Sequence, residues 1–223
     1  MIYVTGDTHA DLERLKSKGA KALKKGDILL VCGDFGFVWD GSKQEQKVLK
    51  WLGKRPYQIL FLEGTHDNLD LLAQYPQETL YEGQARRVSG NCFQLLRGEV
   101  YTIEGRRFFT FGGGESDDMD TRTEGVTWWR GELPSQEEME RARENLAAYG
   151  NQVDVILTHT PSERIQNFLN MGRTYVNPLG AFLNEVSDTV QYGQWFFGSC
   201  HLDKLVPPRH RAIYQEIIPI SFG

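Results

Sequence analysis

Short apolar runs alternate with amphipathic stretches over the first third of the chain. Runs of this kind predict buried strands, and apolar positions three to four apart predict helices. The predicted strands are residues 2–5, 27–32 and 57–62, and the predicted helices are residues 11–22, 43–52 and 68–74. This β-α-β-α-β order predicts a parallel sheet with helices packed on it.

The middle of the chain follows a different pattern. Residues 85–111 show no helical period and carry turn signals, so they predict an antiparallel meander that forms a second sheet. Residues 112–131 predict a long loop, and loops of about this length are usually functional or mobile. Residues 135–149 and 178–190 then predict helices, while 153–158, 195–197 and 212–218 predict strands.

Composition places the chain among ordinary globular proteins. It has 223 residues, of which 40% are hydrophobic and 25% charged, and we expect one domain over residues 1–223. The formal net charge of −5 argues against nucleic-acid binding through net charge. No predicted segment resembles a signal peptide or a membrane span, and the three cysteines form no C-x-x-C pair. We therefore expect a cytoplasmic protein without a membrane partner; nothing in the sequence indicates an oligomeric state.

Polar residues that can bind metals follow five of the predicted strands. They are Asp7 and His9, Asp34, His66 and Asp67, His159, and His201. Four of the five histidines directly follow strands, and ligands of open α/β sheets bind at the carboxyl ends of strands. Carboxylate and imidazole together suit Mn²⁺, Fe²⁺ and Zn²⁺. With Asp34 as a bridge, two such ions can clamp the attacking and leaving oxygens of a displacement at phosphorus.

These clusters, taken in order, resemble the calcineurin-like metallophosphoesterase family. The chain reads G-D-T-H, G-D, G-T-H-D, T-H and G-S-C-H where the family has D-x-H, G-D, G-N-H-D/E, H and G-H-x-H. The resemblance implies an α/β fold, a four-layer α-β-β-α sandwich of two mixed β-sheets flanked by helices. It places the metal site at the carboxyl ends of the strands. The run R-T-E-G-V-T-W-W, residues 122–129, is similar to a bacterial and phage-type subgroup of unassigned phosphoesterases.

The resemblance also implies a role for each residue. Asp7, His9 and His201 match ligands of a first metal, Asp34 a bridging ligand, His159 a ligand of a second metal, His66 the histidine facing the substrate phosphate, and Asp67 the acid that orients this histidine. The implied reaction is hydrolysis of a phosphomonoester or phosphodiester by a metal-bound hydroxide. The implied partner is a small phosphorylated substrate.

Three positions depart from the family pattern. Thr65 stands where the family has asparagine, and Ser199 where it has histidine. Both replaced residues are ligands of the second metal, so we expect one tightly bound ion (Mn, Fe, Zn or Mg) and a weak second site. Cys200 is a less favoured substitute ligand, because its neighbour Ser199 occupies the ligand position. Ala10 replaces a glycine, which costs little unless that position requires a positive φ.

The long loop leaves several alternatives open. Its acidic residues can supply a compensating ligand or form a solvated surface, and its arginines Arg122 and Arg130 can bind substrate phosphate or lie at the surface. The acidic residues are Glu115, Asp117, Asp118 and Asp120. Trp128 and Trp129 either stack on a base or anchor the loop. The paired changes at Thr65 and Ser199 also admit a degenerate protein that binds a phosphorylated ligand or partner with little turnover.

Overall fold

The computed structural model of the chain describes residues 1–116, 119–170 and 176–222. Its strands are β1 (Ile2–Thr5), β2 (Ile28–Val31), β3 (Gln58–Phe61), β4 (Gln77–Leu80), β5 (Gly83–Ser89), β6 (Cys92–Leu95), β7 (Glu99–Ile103), β8 (Arg106–Phe111), β9 (Gln152–Thr158), β10 (Gln191–Phe197), β11 (Lys204–Val206), β12 (His210–Ala212) and β13 (Ile218–Pro219). Its helices are α1 (Lys18–Lys21), α2 (Lys43–Leu52), α3 (Leu69–Ala73), α4 (Gln136–Ala148), α5 (Glu163–Leu169) and α6 (Pro178–Thr189).

The strands form two mixed sheets. The first has the order β13-β1-β2-β3-β6-β5-β4, with β1, β2, β3 and β6 parallel and β13 and β5 running against them. The second has the order β11-β12-β10-β9-β8-β7, with β12, β10, β9 and β8 parallel. Helices lie in the connections between four of the parallel pairs: β1 and β2, β2 and β3, β8 and β9, and β9 and β10.

Three apolar clusters hold the layers together. One lies between the sheets and includes Val4, Leu30, Phe108 and Leu157. A second lies between the first sheet and its helices, and a third lies between the second sheet and helices α4 and α6. Alternate residues of the central strands enter different clusters, so both faces of each sheet are buried. The four-layer α-β-β-α sandwich implied by the resemblance is confirmed.

The predicted meander over residues 85–111 is divided between the sheets. Strands β5 and β6 extend the first sheet, where β6 pairs in parallel with β3, and only β7 and β8 belong to the second sheet. The chain crosses between them at Arg97 and Gly98, where Gly98 has a φ of +74°. The prediction of one antiparallel unit was therefore wrong, because the partner of β6 lies about thirty residues earlier in the chain.

Other local predictions also need correction. The helix predicted over residues 11–22 is replaced by a 3-10 turn (Arg14–Lys16) and the four-residue α1. Ser17 caps α1, because its side chain accepts a hydrogen bond from the Ala20 amide. Residues 212–218 do not form one strand, because β12 ends at Ala212 and β13 begins at Ile218. Between them the carboxylate of Asp203 accepts hydrogen bonds from three successive amides, residues 214–216. Helix α5 was not predicted.

A buried ion pair ties the end of the first sheet to the long loop. Arg97 is 5% exposed, and its Nε donates to Oε1 of Glu63 at 2.5 Å. Its Nη2 donates to the carbonyls of Gly131 and Glu132, and Gln94 donates to the other oxygen of Glu63. One guanidinium thus positions the loop that follows β8. No helix among the described residues is long and apolar enough to cross a membrane.

Replacing Arg97 tests this tie. Arg97→Met is expected to lower the free energy of unfolding by about 3–5 kcal/mol, because Glu63 keeps a buried charge without its cation. Denaturant titration measures the change. The control is Arg87→Met, which breaks the exposed pair with Glu78 and should shift the midpoint much less. Equal decreases in the free energy of unfolding of the two variants would show that the buried pair stabilises the fold no more than the exposed pair does.

Candidate metal centre

Six potential metal ligands meet at one edge of the two sheets. They follow the carboxyl ends of β1, β2, β3, β9 and β10. Ligand atoms within 4.8 Å of one another form three groups: Asp7, His9 and His201; His9, Asp34 and His66; and Asp7, Asp34 and His159. Every member of these groups is a residue that the sequence places after a strand.

Asp7 has the environment of a metal ligand. Its side chain is fully buried, and neither carboxylate oxygen has a hydrogen-bond partner. The nearest bases are imidazoles: Nε2 of His201 lies 3.2 Å from Oδ2, and Nδ1 of His159 lies 3.4 Å from Oδ1. Nε2 of His9 lies 3.0 Å from Nε2 of His201. A buried carboxylate without donors beside converging nitrogen atoms fits a bound cation, because such a charge is costly to leave unpaired.

Asp34 lies between two sets of donor atoms. Its Oδ1 accepts a hydrogen bond from the His66 amide at 2.8 Å and lies 3.4 Å from Nε2 of His159. Its Oδ2 lies 2.9 Å from Nδ1 of His66 and 3.6 Å from Nε2 of His9. The two oxygens therefore face different ligand groups, as the bridging position implied by the resemblance requires.

The charges in this cluster support one another. Burial opposes the charged form of His159, yet the carboxylates of Asp34 and Asp7 raise the pKa of its imidazole to about 10. Burial likewise opposes the ionised form of Asp34, yet His159 and His66 hold the pKa of this carboxyl well below its usual range. Nδ1 of His159 lies 3.2 Å from the Cys32 carbonyl. A bond from Nδ1–H to this oxygen leaves Nε2 as the ligand atom.

The candidate ligands sit on strained backbone. The φ angles of His9, Asp34 and His201 are +44°, +43° and +49°. Non-glycine residues rarely adopt this region, and each instance costs about 1–3 kcal/mol. Ala10, where the family pattern has glycine, has a φ of +59°. This departure therefore adds strain, because the position does require a positive φ.

Two glycines allow the loops to close around the ligands. A Cβ on Gly33 would lie 2.1 Å from Nδ1 of His159, and Gly33 has a φ of +90°. A Cβ on Gly64 would lie 2.0 Å from Oδ1 of Asp34. The glycines that precede Asp34 and Thr65 therefore leave space for ligands from other strands.

His66 faces the cavity and contacts the long loop. Asp34 holds its Nδ1 at 2.9 Å, and this hydrogen bond raises the pKa of the imidazole. Its Nε2 lies 3.1 Å from Nη2 of Arg122, and Nη1 of Arg122 donates to the Thr127 carbonyl. The loop thus places a guanidinium beside the histidine that the sequence assigns to the substrate phosphate.

The structure places Asp67 differently from its implied role. Its carboxylate is buried and accepts hydrogen bonds from the amides of Phe35, Gly36 and Gly64. These bonds join the loops after β2 and β3, while the His66 ring is held by Asp34. Asp67 therefore positions the backbone of the ligand loops and does not orient the imidazole directly. Burial raises the pKa of this carboxyl to about 7.

The two replaced positions both line the centre. Oγ of Ser199 is buried without a hydrogen-bond partner, and Oγ1 of Thr65 lies 3.3 Å from Nδ1 of His66. Cys200 packs against the apolar cluster beneath α4 and α6, and burial raises the pKa of its thiol to about 11. A thiol that packs in this way is a poor substitute for the missing imidazole.

The long loop supplies some predicted residues and not others. Glu115 and Arg122 line the cavity, whereas Asp120 is exposed and Arg130 pairs with Glu124 at the surface. Trp129 is 4% exposed and packs edge-to-face on Trp39, so it anchors the loop. Asp117 and Asp118 lie outside the described residues.

These side chains enclose a cavity of about 220 Å³. Its lining comprises the candidate ligands Asp34, His159 and His201, together with Thr65, His66, Glu115, Ser116, Arg122, Thr160, Gln166 and Ser199. The sequence did not indicate Ser116, Thr160 or Gln166. Thr160 directly follows the strand-end motif Thr158-His159, which was the available signal. Gln166 lies on the unpredicted α5 and carried no such signal.

Comparison with known proteins agrees with this geometry. The family model described as calcineurin-like phosphoesterase matches residues 1–198. No curated protein matches the sequence. A solved structure, described as a protein of unknown function from Aquifex aeolicus, aligns at 15% identity with a TM-score of 0.38, covering 86% of this chain and 87% of that chain. A similarity this distant adds nothing to the assignment.

Metal binding should release a proton from His159. Its imidazole has a pKa of about 10 in the metal-free chain and is protonated at pH 7, whereas a ligand must be neutral. Wild type is therefore expected to release about one proton more per chain than His159→Asn when it saturates with Mn²⁺. Calorimetry in buffers of different ionisation enthalpy measures the count. Apparent affinity should rise with pH toward 10, and equal counts in both proteins would contradict the assignment.

Restoring the family residues should strengthen the second site. Thr65→Asn combined with Ser199→His is expected to raise tightly bound Mn²⁺ from about one toward two ions per chain, because amide and imidazole replace weak hydroxyl ligands. Equilibrium dialysis with elemental analysis measures the stoichiometry. Thr79→Asn with Ser221→His, at exposed positions, is the matched control. Two tight ions already present in wild type would contradict the expectation.

Proposed function

The chain belongs to the calcineurin-like phosphoesterase family, and we propose that it is a metal-dependent hydrolase of a small phosphomonoester or phosphodiester. The observation that carries the proposal is the donor-free, buried Asp7 carboxylate. It lies beside converging imidazoles. Neither oxygen of Asp7 accepts a hydrogen bond, and its nearest partners, at 3.2 and 3.4 Å, are imidazole nitrogens of a kind that also binds metal ions.

The chain offers two unequal sets of metal ligands. Asp7, His9 and His201 supply the stronger set, while Asp34 and His159, with two neutral hydroxyls nearby, supply the weaker one. Bound divalent ions supply positive charge beside the phosphoryl oxygens and lower the pKa of water. Manganese fits the mixture of carboxylate and imidazole ligands.

Two side chains address the substrate directly. Arg122 presents a guanidinium, whose fork of N–H groups matches phosphoryl oxygens. His66 faces the same space through Nε2, while Asp34 holds Nδ1 and favours the protonated ring. In the present geometry Nε2 accepts from the Arg122 guanidinium, which can only donate. Once the guanidinium binds the phosphoryl group instead, a protonated Nε2 can donate to the leaving oxygen. Phosphoryl transfer depends mainly on such positioning and on charge neutralisation.

A second candidate function is binding of a phosphorylated ligand with little turnover. The hydroxyls of Thr65 and Ser199 at the second metal position favour it, because they are weak ligands for a transition ion. The retention of His66 beside Arg122 favours the hydrolase, since a simple binding site has no need of a proton donor there.

The three free cysteines are consistent with a cytoplasmic setting.

Hydrolysis of model esters tests the proposal. With Mn²⁺, wild type is expected to cleave p-nitrophenyl phosphate or bis-p-nitrophenyl phosphate, and Asp34→Asn to lose at least about 100-fold in kcat/KM. Substitution of residues that only hydrogen-bond to metal ligands already lowers metal affinity or activity by about 10–100-fold. The matched control is Asp188→Asn, an exposed carboxylate on α6 outside the cavity. Negligible rates in wild type and Asp34→Asn with several metals would favour the binding function instead.

A further inference from the structure

We propose that the cavity selects phosphomonoesters of small, polyhydroxylated alcohols; the inference rests on the proposed function and names its substrate class. One part of the lining is formed by Glu115, Ser116, Thr160 and Gln166, in the same cavity as the candidate ligands Asp34, His159 and His201. For this part of the lining we use the name leaving-group wall.

The size of the cavity limits the substrate. At about 220 Å³ it is smaller than the roughly 300–1,000 Å³ of sites that enclose drug-sized ligands. Part of this volume must hold the phosphoryl group beside His66 and Arg122. The space that remains can hold a small alcohol, whereas a nucleoside would extend beyond the cavity into solvent and contact its lining less completely.

The chemistry of the lining excludes an apolar leaving group. Among the described residues that line the cavity, none is aliphatic, and histidine is the only aromatic side chain. Trp129 is buried against Trp39 and offers no face for a base to stack on. Nucleobases and acyl chains gain affinity by packing on aromatic or aliphatic side chains. A polar leaving group therefore matches the cavity.

The leaving-group wall is rich in hydrogen-bond acceptors. The hydroxyl of Ser116 donates to Glu132 at 2.6 Å, and that of Thr160 donates to the Gly113 carbonyl at 3.4 Å. Because each hydroxyl uses its hydrogen in these bonds, its oxygen remains available as an acceptor. Glu115 adds a carboxylate, which Asn177 contacts at 3.0 Å from the start of α6. Gln166 both donates and accepts. Acceptors of this kind pair with hydroxyl donors on the substrate.

The charge of Glu115 also disfavours some substrates. A second phosphate or a carboxylate near this wall would meet a like charge, and such repulsion contributes to specificity. Arg122 and the candidate metal ligands, which also line the cavity, take the single phosphoryl group. The lining thus combines groups that bind an anion with groups that bind neutral hydroxyls.

A substrate panel tests the proposal on the Mn²⁺-loaded full chain. The probes are glycerol 3-phosphate and glucose 6-phosphate, compared with adenosine 5′-monophosphate and fructose 1,6-bisphosphate. We expect kcat/KM for the two polyol esters to exceed that for the other two by at least about tenfold, the equivalent of about 1.4 kcal/mol.

Variants of the leaving-group wall should change selectivity in defined ways. Gln166→Ala is expected to raise KM for glucose 6-phosphate about 2- to 10-fold, as loss of one hydrogen bond predicts. Glu115→Gln is expected to lower the ratio of kcat/KM for glucose 6-phosphate to kcat/KM for fructose 1,6-bisphosphate. The matched controls are Glu144→Gln and Gln136→Ala, two exposed positions of α4, which should leave the ratios unchanged.

Calorimetric binding of the same probes to Mn²⁺-loaded His66→Asn ranks affinity without turnover. This keeps the outcome separate from the proposed function: a chain that cleaves no ester, model esters included, still reports its preference through binding. Equal or better use of adenosine 5′-monophosphate would overturn the inference. So would a preference for ethanolamine phosphate, which would assign the wall to an ammonium group. Unchanged selectivity in Gln166→Ala and Glu115→Gln would also overturn it.

Discussion

The burial of two carboxylates where the sheets meet is the constraint on which the site depends. Asp7 is fully buried without hydrogen-bond donors, and Asp34 is 3% exposed. Charges at this depth are stable only beside positive charge. The imidazoles of His159, His9 and His201 gather around them, and the backbone accepts left-handed conformations at His9, Asp34 and His201 to place them there. Of the eight non-glycine residues with a positive φ in the described part of the chain, four lie at this centre: His9, Ala10, Asp34 and His201. Strain of this kind often occurs at functional sites.

Two buried polar groups keep this arrangement in place. Asp67 joins the loops after β2 and β3 through three amides, and Arg97 joins Glu63 to the carbonyls of residues 131 and 132. The ligands therefore stand on strand ends whose relative positions are fixed. The leaving-group wall comes instead from the loop after β8, from the segment between β9 and α5, and from α5 itself. This division is common, because rigid strands suit chemistry and loops suit specificity.

The centre is asymmetric. The three candidate ligands Asp7, His9 and His201 lie close together, whereas Thr65 and Ser199, at the positions of the proposed second metal, offer only neutral hydroxyls. Because Asp34 faces both groups, a change in the occupancy of one alters the charge that the other experiences. The same asymmetry leaves space in the cavity where the family pattern has an imidazole. The proposed metal ligands and the proposed substrate contacts therefore share one polar cavity.

The sequence by itself determined the alternation of early strands and helices and the identity of the candidate ligands. These depend on local periodicity and on motifs a few residues long, such as Gly6-Asp7-Thr8-His9. Only the tertiary structure decided that β6 joins the first sheet and that Asp67 binds backbone amides. It also decided that Gln166 and Glu115 face the ligands. These relations join residues 30 to 130 positions apart, and strand pairing and side-chain direction over such distances depend on packing, which no local pattern encodes.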